Sequence, residues 1–232
     1  MIVSTWKHTS TVTPTTDVPL GELSTVPPKR PLRPLILNTV QTNPMETFLE
    51  TSFQNVRSSK RTDEFHNALL DEVLNANNEW AEYTWKFEYQ LPVDGFGGTF
   101  DIDIAGFDAK GDLKVAILGK AINSNVNKNI KNYANTSIGE AARIMFAPNV
   151  EMEKVLFVTV LPRIAPRFNN KKEVVGFDDV KSAKNRTQIN NILEAQYAGK
   201  VEAIDLFFDI EGVKTLTNFD LIEVKNLDAL TL

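Results

Sequence analysis

Residues 100 to 121, FDIDIAGFDAKGDLKVAILGKA, constrain the fold more than any other stretch of the chain. Apolar and polar residues alternate with period two from Phe100 to Phe107, and again from Leu113 to Lys120. Asp108-Ala109-Lys110-Gly111-Asp112 lies between the runs and is rich in turn formers, so the whole reads as a β-hairpin. Side chains alternate across a strand, which puts Phe100, Ile102 and Ile104 on one face and Asp101 and Asp103 on the other. On the second strand Leu113, Val115 and Ile117 share a face, and Ala116, Leu118 and Lys120 share the opposite one. Two carboxylates on one strand and a lysine ending the next suit a site for a metal ion and a water. The same pattern also describes a plain amphipathic hairpin.

The flanking segments predict an α/β domain. Thr62 is a good N-cap for a helix over 62–78, with Asp63 and Glu64 at its positive end and Phe65, Leu69, Leu70, Val73 and Leu74 as its buried stripe. His66 reads as a surface histidine, because no second histidine lies nearby to complete a metal motif. Trp85 to Leu91 alternates as a half-buried strand, and the glycines at 95, 97 and 98 make a loop that lets backbone approach a ligand. No Walker-type lysine follows it, so it is not read as a nucleotide cradle. The Asn- and Lys-rich stretch from Asn123 to Asn135 reads as a loop, in which Asn125, Lys128 and Lys131 can contact phosphates and base edges. Ser137-Ile138-Gly139-Glu140 has capping-box spacing and predicts a helix through Phe146. Val155 to Leu161 is continuously apolar, as in a central strand covered on both faces. Residues 162–184 read as loop, with Arg163 and Arg167 either solvated or forming a phosphate-contacting rim. A helix over 186–198, a strand over 201–210 and a short strand at 220–224 complete the expected order.

The hairpin resembles the strand–turn–strand signature of the PD-(D/E)xK, or restriction-endonuclease-like, nuclease superfamily. Asp103 matches the family Asp, Lys120 matches the Lys of Glu-x-Lys, and Gly119 is the "x". The acidic position falls on Leu118, and leucine cannot bind a cation. The resemblance implies a three-layer α/β fold with an αβββαβ core around a mixed sheet. It implies a Mg²⁺-dependent DNA endonuclease in which Asp103 and the Gly119 carbonyl hold the metal and Lys120 orients water or stabilises the phosphorane. Leu118 removes the second anionic ligand, for which Asp101 is one substitute. Some members of the family supply the acid from the following helix, which points to Glu140, whose other reading is a helix cap. The family helix before the hairpin often carries a Glu near the metal, here Glu64 or Glu72. Two classes of function remain open. One is a Mg²⁺-dependent endonuclease with a rearranged site. The other is a degenerate member that binds DNA or serves a structural role in a larger assembly such as a phage particle.

Composition bounds the rest. A length of 232 residues and 42% hydrophobic content suit one domain with appendages. The absence of cysteine excludes disulfides and thiolate metal sites. The net charge of −5 argues against a generic electrostatic coat on nucleic acid but leaves room for a local basic groove. No apolar run reaches membrane-span length and no signal-peptide pattern opens the chain, so the expected location is the cytoplasm of a cell or an infected host, or a virion. Seven of the eleven prolines fall within residues 1–44, which read as an extended Pro/Ser/Thr-rich arm preceding a domain over 45–232. The arm is either a disordered leader or a docking segment, with Lys29, Arg30 and Arg33 as phosphate contacts. Expected partners are double-stranded DNA and a protein for the arm, without a membrane; homo-oligomerisation is left open.

Overall fold

The structure, a computed structural model, describes residues 43–54, 62–93, 98–171, 173–180, 184–197, 199–211 and 223–232. All of them fall in one compact unit, 41–232. The arm, the glycines at 95 and 97, and Lys29, Arg30 and Arg33 lie outside the described residues.

Six strands form one mixed sheet: β1 (Thr84–Pro92), β2 (Thr99–Phe107), β3 (Leu113–Ala121), β4 (Lys154–Pro162), β7 (Val201–Glu211) and β8 (Glu223–Lys225), in that spatial order. The first three pair antiparallel, β3–β4 and β4–β7 pair parallel, and β8 closes antiparallel on β7. Helices α1 (Pro44–Gln54) and α2 (Thr62–Ala76) cover one face, where Phe48, Phe53, Phe65 and Leu69 pack on Ile104, Val115, Ile117 and Val158. Helices α3 (Val126–Met145) and α4 (Lys184–Gln196) cover the other, where Tyr133, Ala141, Ile144 and Leu193 pack on Ala105, Ala116, Leu118 and Phe157. The result is the expected three-layer α/β domain, and α2-β1-β2-β3-α3-β4 gives the expected αβββαβ order. Strand β4 has parallel neighbours on both sides and is buried from Val155 to Pro162, which explains its unbroken run of apolar residues.

Four local expectations are corrected. Residues 126–136 are helix, not loop, so α3 begins eleven residues before Ser137 and Ser137 is buried in mid-helix rather than capping. Asn125, in a left-handed conformation (φ 53°), marks the start instead. The expected loop after β4 contains a hairpin of β5 (Ile164–Phe168) and β6 (Val174–Asp179), paired antiparallel. Helix α1 went unread and includes Pro44, so the folded unit starts before residue 45. Its signals are ordinary: the Asn43 side chain accepts the Met45 N–H at 2.7 Å, Pro44 occupies the first helical position, and Met45, Phe48, Leu49 and Phe53 form a buried stripe.

The fourth correction concerns faces within β2 and β3. Leu113 joins the core on the α3 side while Val115 and Ile117 pack under α2, and the register shifts between Gly106 and Phe107. In β2, Ile102 and Ile104 do not share a face, because Ile104 packs under α2 and Ile102 joins the core on the α3 side. Strand β1 changes face with it, since Trp85 packs on the α2 side while Tyr89 and Leu91 pack on the α3 side. The pairs Phe87↔Ile104 and Tyr89↔Ile102 leave Glu88 opposite Asp103 at the point of reversal, and Glu88 adopts a left-handed φ of 49°. Strict period-two alternation therefore breaks at the residue the hairpin motif singles out. Among the described residues no helix is long and apolar enough to cross a membrane.

Candidate active site

Three elements bring the charged residues of the motif together. Asp101 and Asp103 come from the start of β2, Leu118, Gly119 and Lys120 from the end of β3, and Tyr133, Ser137 and Glu140 from one face of α3. Spacings of four and three residues place those three side chains on a single helical stripe facing the sheet. With Phe157, Val158 and Thr159 of β4 they line a cavity of about 230 Å³. It lies towards the carboxyl ends of the parallel pair β3–β4, where open α/β sheets commonly place ligands. The early start of α3 matters here: it takes Glu140 out of a first-turn capping position and puts it on the cavity wall.

Asp103 is held firmly. Its Oδ2 accepts the Gly119 N–H at 2.8 Å. The missing side chain at Gly119 lets α2 pack closely on β3, because a Cβ there would stand 2.6 Å from Leu69 and 2.8 Å from Phe65. Burial pushes the Asp103 carboxyl above the usual range and nearby Asp101 adds to this, opposed by the Gly119 N–H, His66 and Lys120. Glu140 is raised as well, chiefly by burial, with Lys120 and Arg143 opposing and Asp103 reinforcing. Lys120 carries its ammonium 5.5 Å from the centre of the Tyr133 ring. The Tyr133 hydroxyl is in turn fixed by the fully buried Thr159 hydroxyl, which donates to it at 2.8 Å. Acidic groups crowded into a half-closed space, with one lysine among them, are suited to hold a hard cation or a bound anion–cation pair. Leu118 faces the cavity but is buried in the α3-side core, so it contributes wall and no ligand.

Of the expected DNA-contacting residues, Asn125, Arg163 and Arg167 do not line this cavity. Arg163 pairs with Asp228 and with Asp209 at 3.4 Å and donates to the Asn226 carbonyl at 2.9 Å, so it clamps the chain end rather than forming a free rim. Arg167 pairs with Asp178 at 3.4 Å within the β5–β6 hairpin. The Asn125 side chain accepts the Phe168 N–H at 3.2 Å and its own N–H donates to the Pro166 carbonyl at 3.1 Å, which ties the start of α3 to β5. Lys128 and Lys131 lie in the first turns of α3, and their side chains lie outside the described residues. Glu64 and Glu72 do not line the cavity, and Glu72 accepts from Asn43 at 2.9 Å.

The residue that α2 does bring to Asp103 is His66, which is buried, not on the surface. Its Nε2 lies 3.9 Å from Asp103 Oδ2 and its Nδ1 3.2 Å from Glu88 Oε1. A readable signal existed, because His66 with Leu69, Leu70 and Val73 keeps the i, i+3, i+4, i+7 spacing of the buried stripe. Glu88 had none, since its place depends on a left-handed backbone within an otherwise alternating strand. Comparison with known proteins found no matching family model, no similar curated protein and no similar solved structure.

Proposed function

We propose that the cavity is the active site of a Mg²⁺-dependent phosphodiesterase acting on DNA, of the restriction-endonuclease-like kind, in which Glu140 supplies the acid that Leu118 lacks. The observation that carries this reading is the convergence of Asp101, Asp103, Lys120 and Glu140, from β2, β3 and α3, on one cavity. The donor set fits Mg²⁺, which takes carboxylate oxygens together with water and substrate phosphate. Bound there by Asp103, Asp101 and Glu140, the cation would supply an activated water and charge neutralisation. The chain's own contribution is positional. Gly119 orients Asp103, and among the described lining residues Lys120 offers a cationic group to a phosphate. Because Asp103 and Glu140 hold their protons more tightly than ordinary carboxyls, cation binding should release protons.

A second reading, a DNA-binding or structural member with little catalysis, is favoured by a specific observation. Leu118 sits in the apolar core, and Arg163, Arg167 and Asn125 are engaged within the fold. In that reading residues 1–44 dock the chain into a larger assembly such as a phage particle. Incubating duplex DNA with the full chain and Mg²⁺ or Mn²⁺ separates the two. Cleavage by the wild type that Glu140→Gln abolishes supports the rearranged site. An inert wild type that gains nicking or Mg²⁺-dependent stabilisation in Leu118→Glu supports the degenerate one. If neither protein responds to Mg²⁺ or DNA, the nuclease reading falls and the hairpin is structural.

A further inference from the structure

We infer that His66, Glu88 and Asp103 form a second divalent-cation site, on the α2 side of Asp103, selective for borderline metals such as Zn²⁺, Co²⁺ or Mn²⁺ over Mg²⁺. The three residues come from α2, β1 and β2, and a ligand atom from each lies within 4.8 Å of the others. Neither His66 nor Glu88 lines the cavity described above, so the site shares only Asp103 with it.

Two features independent of the clustering point to a ligand. His66 is 2% exposed, yet its Nδ1 has no hydrogen-bond partner, although the Glu88 carboxylate is only 3.2 Å away. A buried ring nitrogen is ordinarily satisfied, and leaving one open carries the full cost of its desolvation. A cation held between that nitrogen and the Glu88 carboxylate satisfies it, with Asp103 close by on the ring's other side, 3.9 Å from Nε2. Glu88 also holds a left-handed φ of 49° inside a strand, a conformation that costs a non-glycine residue energy and tends to persist at functional sites. That turn occurs where β1 and β2 both change face, and it places the Glu88 carboxylate against His66 and opposite Asp103.

The donor set decides the metal. One imidazole and two carboxylates suit Zn²⁺, Co²⁺ and Mn²⁺, whereas Mg²⁺ prefers oxygen alone. Three protein ligands leave a coordination position open. Because the chain has no cysteine and two histidines, a nitrogen-bound metal reports on His66 or His8.

The test uses the full chain stripped with chelator. Co²⁺ should give visible d–d absorption that saturates at one equivalent. Zn²⁺ at about a hundredfold over Kd should raise Tm by about 5–10 °C. Both responses should vanish in Glu88→Gln and His66→Gln and survive in His8→Gln and Glu140→Gln. Glu88 has a side chain 52% exposed, so its variant will fold even if replacing buried His66 disturbs the core. A wild type whose spectrum and Tm ignore Co²⁺ and Zn²⁺ would overturn the inference in favour of a metal-free carboxylate–imidazole cluster, as would an unchanged response in Glu88→Gln. Failure of Mg²⁺-dependent DNA cleavage would leave these readouts untouched, so the two proposals fail separately.

Discussion

Two charged clusters in this molecule use similar residues to opposite ends. At the chain end, Arg163 gathers Asp209, Asp228 and the Asn226 carbonyl, and the other Asp228 oxygen accepts the Phe207 N–H at 3.1 Å. Donors and acceptors there face one another, and the result joins the end of β4 to β7 and the C-terminal segment. At the cavity, among the described residues, Asp101, Asp103 and Glu140 share Lys120, with Arg143 also acting on Glu140, and both Asp103 and Glu140 hold their protons unusually tightly. Among the described residues the first cluster is matched within the chain, whereas the second carries excess acid turned towards a half-closed space. Such imbalance is what a bound cation or substrate would correct, and it is the physical difference between a clamp and a site.

Removing members of each cluster should therefore break different things. Asp103→Asn and Lys120→Ala should each lower Mg²⁺-dependent DNA cleavage by about 10²–10³-fold, as for loss of one charge-stabilising group in an active site. Single-turnover assays on folded protein measure this directly, and equal rates for wild type and both variants would end the catalytic reading. Arg163→Ala should act on stability instead. It removes the charge-assisted bonds to Asp209, Asp228 and the Asn226 carbonyl, at a cost of about 1.5–3 kcal/mol, moderated by the exposure of both carboxylates. Urea unfolding with an unchanged m-value should show it, and a midpoint within error of wild type would mean the clamp is ornamental. Gly119→Ala comes next, at about 1–3 kcal/mol, because the new methyl group must displace Leu69 and Phe65 beneath the site.

The sheet was legible because its order rests on local pattern. The turn at 108–112, the alternation of β1 and β3 and the unbroken apolar run of β4 are properties of neighbouring residues, and each element forms where they place it. Helix α3 was misjudged because Ser137 and Glu140 have capping spacing, while the buried positions Val126, Tyr133, Ser137, Ala141 and Ile144 that extend the helix backwards include polar residues. Tertiary burial, not capping, decides where that helix lies. The site was half legible. Asp103 and Lys120 follow from strand periodicity, whereas His66 and Glu88 meet Asp103 through a reversal of faces that no periodic pattern encodes. The ion pairs of Arg163 were not legible, because a basic residue after a strand looks the same in sequence whether it faces phosphate or an aspartate 46 or 65 residues further on.

The smallest expected effect gives the sharpest contrast between clamp and site. Burial raises the Glu140 pKa above its ordinary value of 4.5, so the folded chain keeps this proton to higher pH than the unfolded chain does. Between the ordinary and the raised value the folded state binds more protons, and stability falls as pH climbs through that window. Above it the full penalty of an ionised, half-buried carboxylate remains. Glutamine at this position cannot ionise, so Glu140→Gln should be more stable than wild type at neutral pH, by about 2–4 °C in Tm if the relief is roughly 1 kcal/mol. The gain should shrink as pH drops below the ordinary glutamate value, where wild type is protonated too. Added Mg²⁺ should narrow it from the other side, by stabilising the ionised wild-type site and not the variant. Asp228→Asn should behave oppositely at neutral pH, losing stability with its charge, because its carboxylate is matched by Arg163. Thermal melts of both variants across the acid range, with and without Mg²⁺, measure the comparison. A Glu140→Gln protein less stable than wild type at neutral pH would place Glu140 among the structural pairs and leave Asp103 without a second acid from α3.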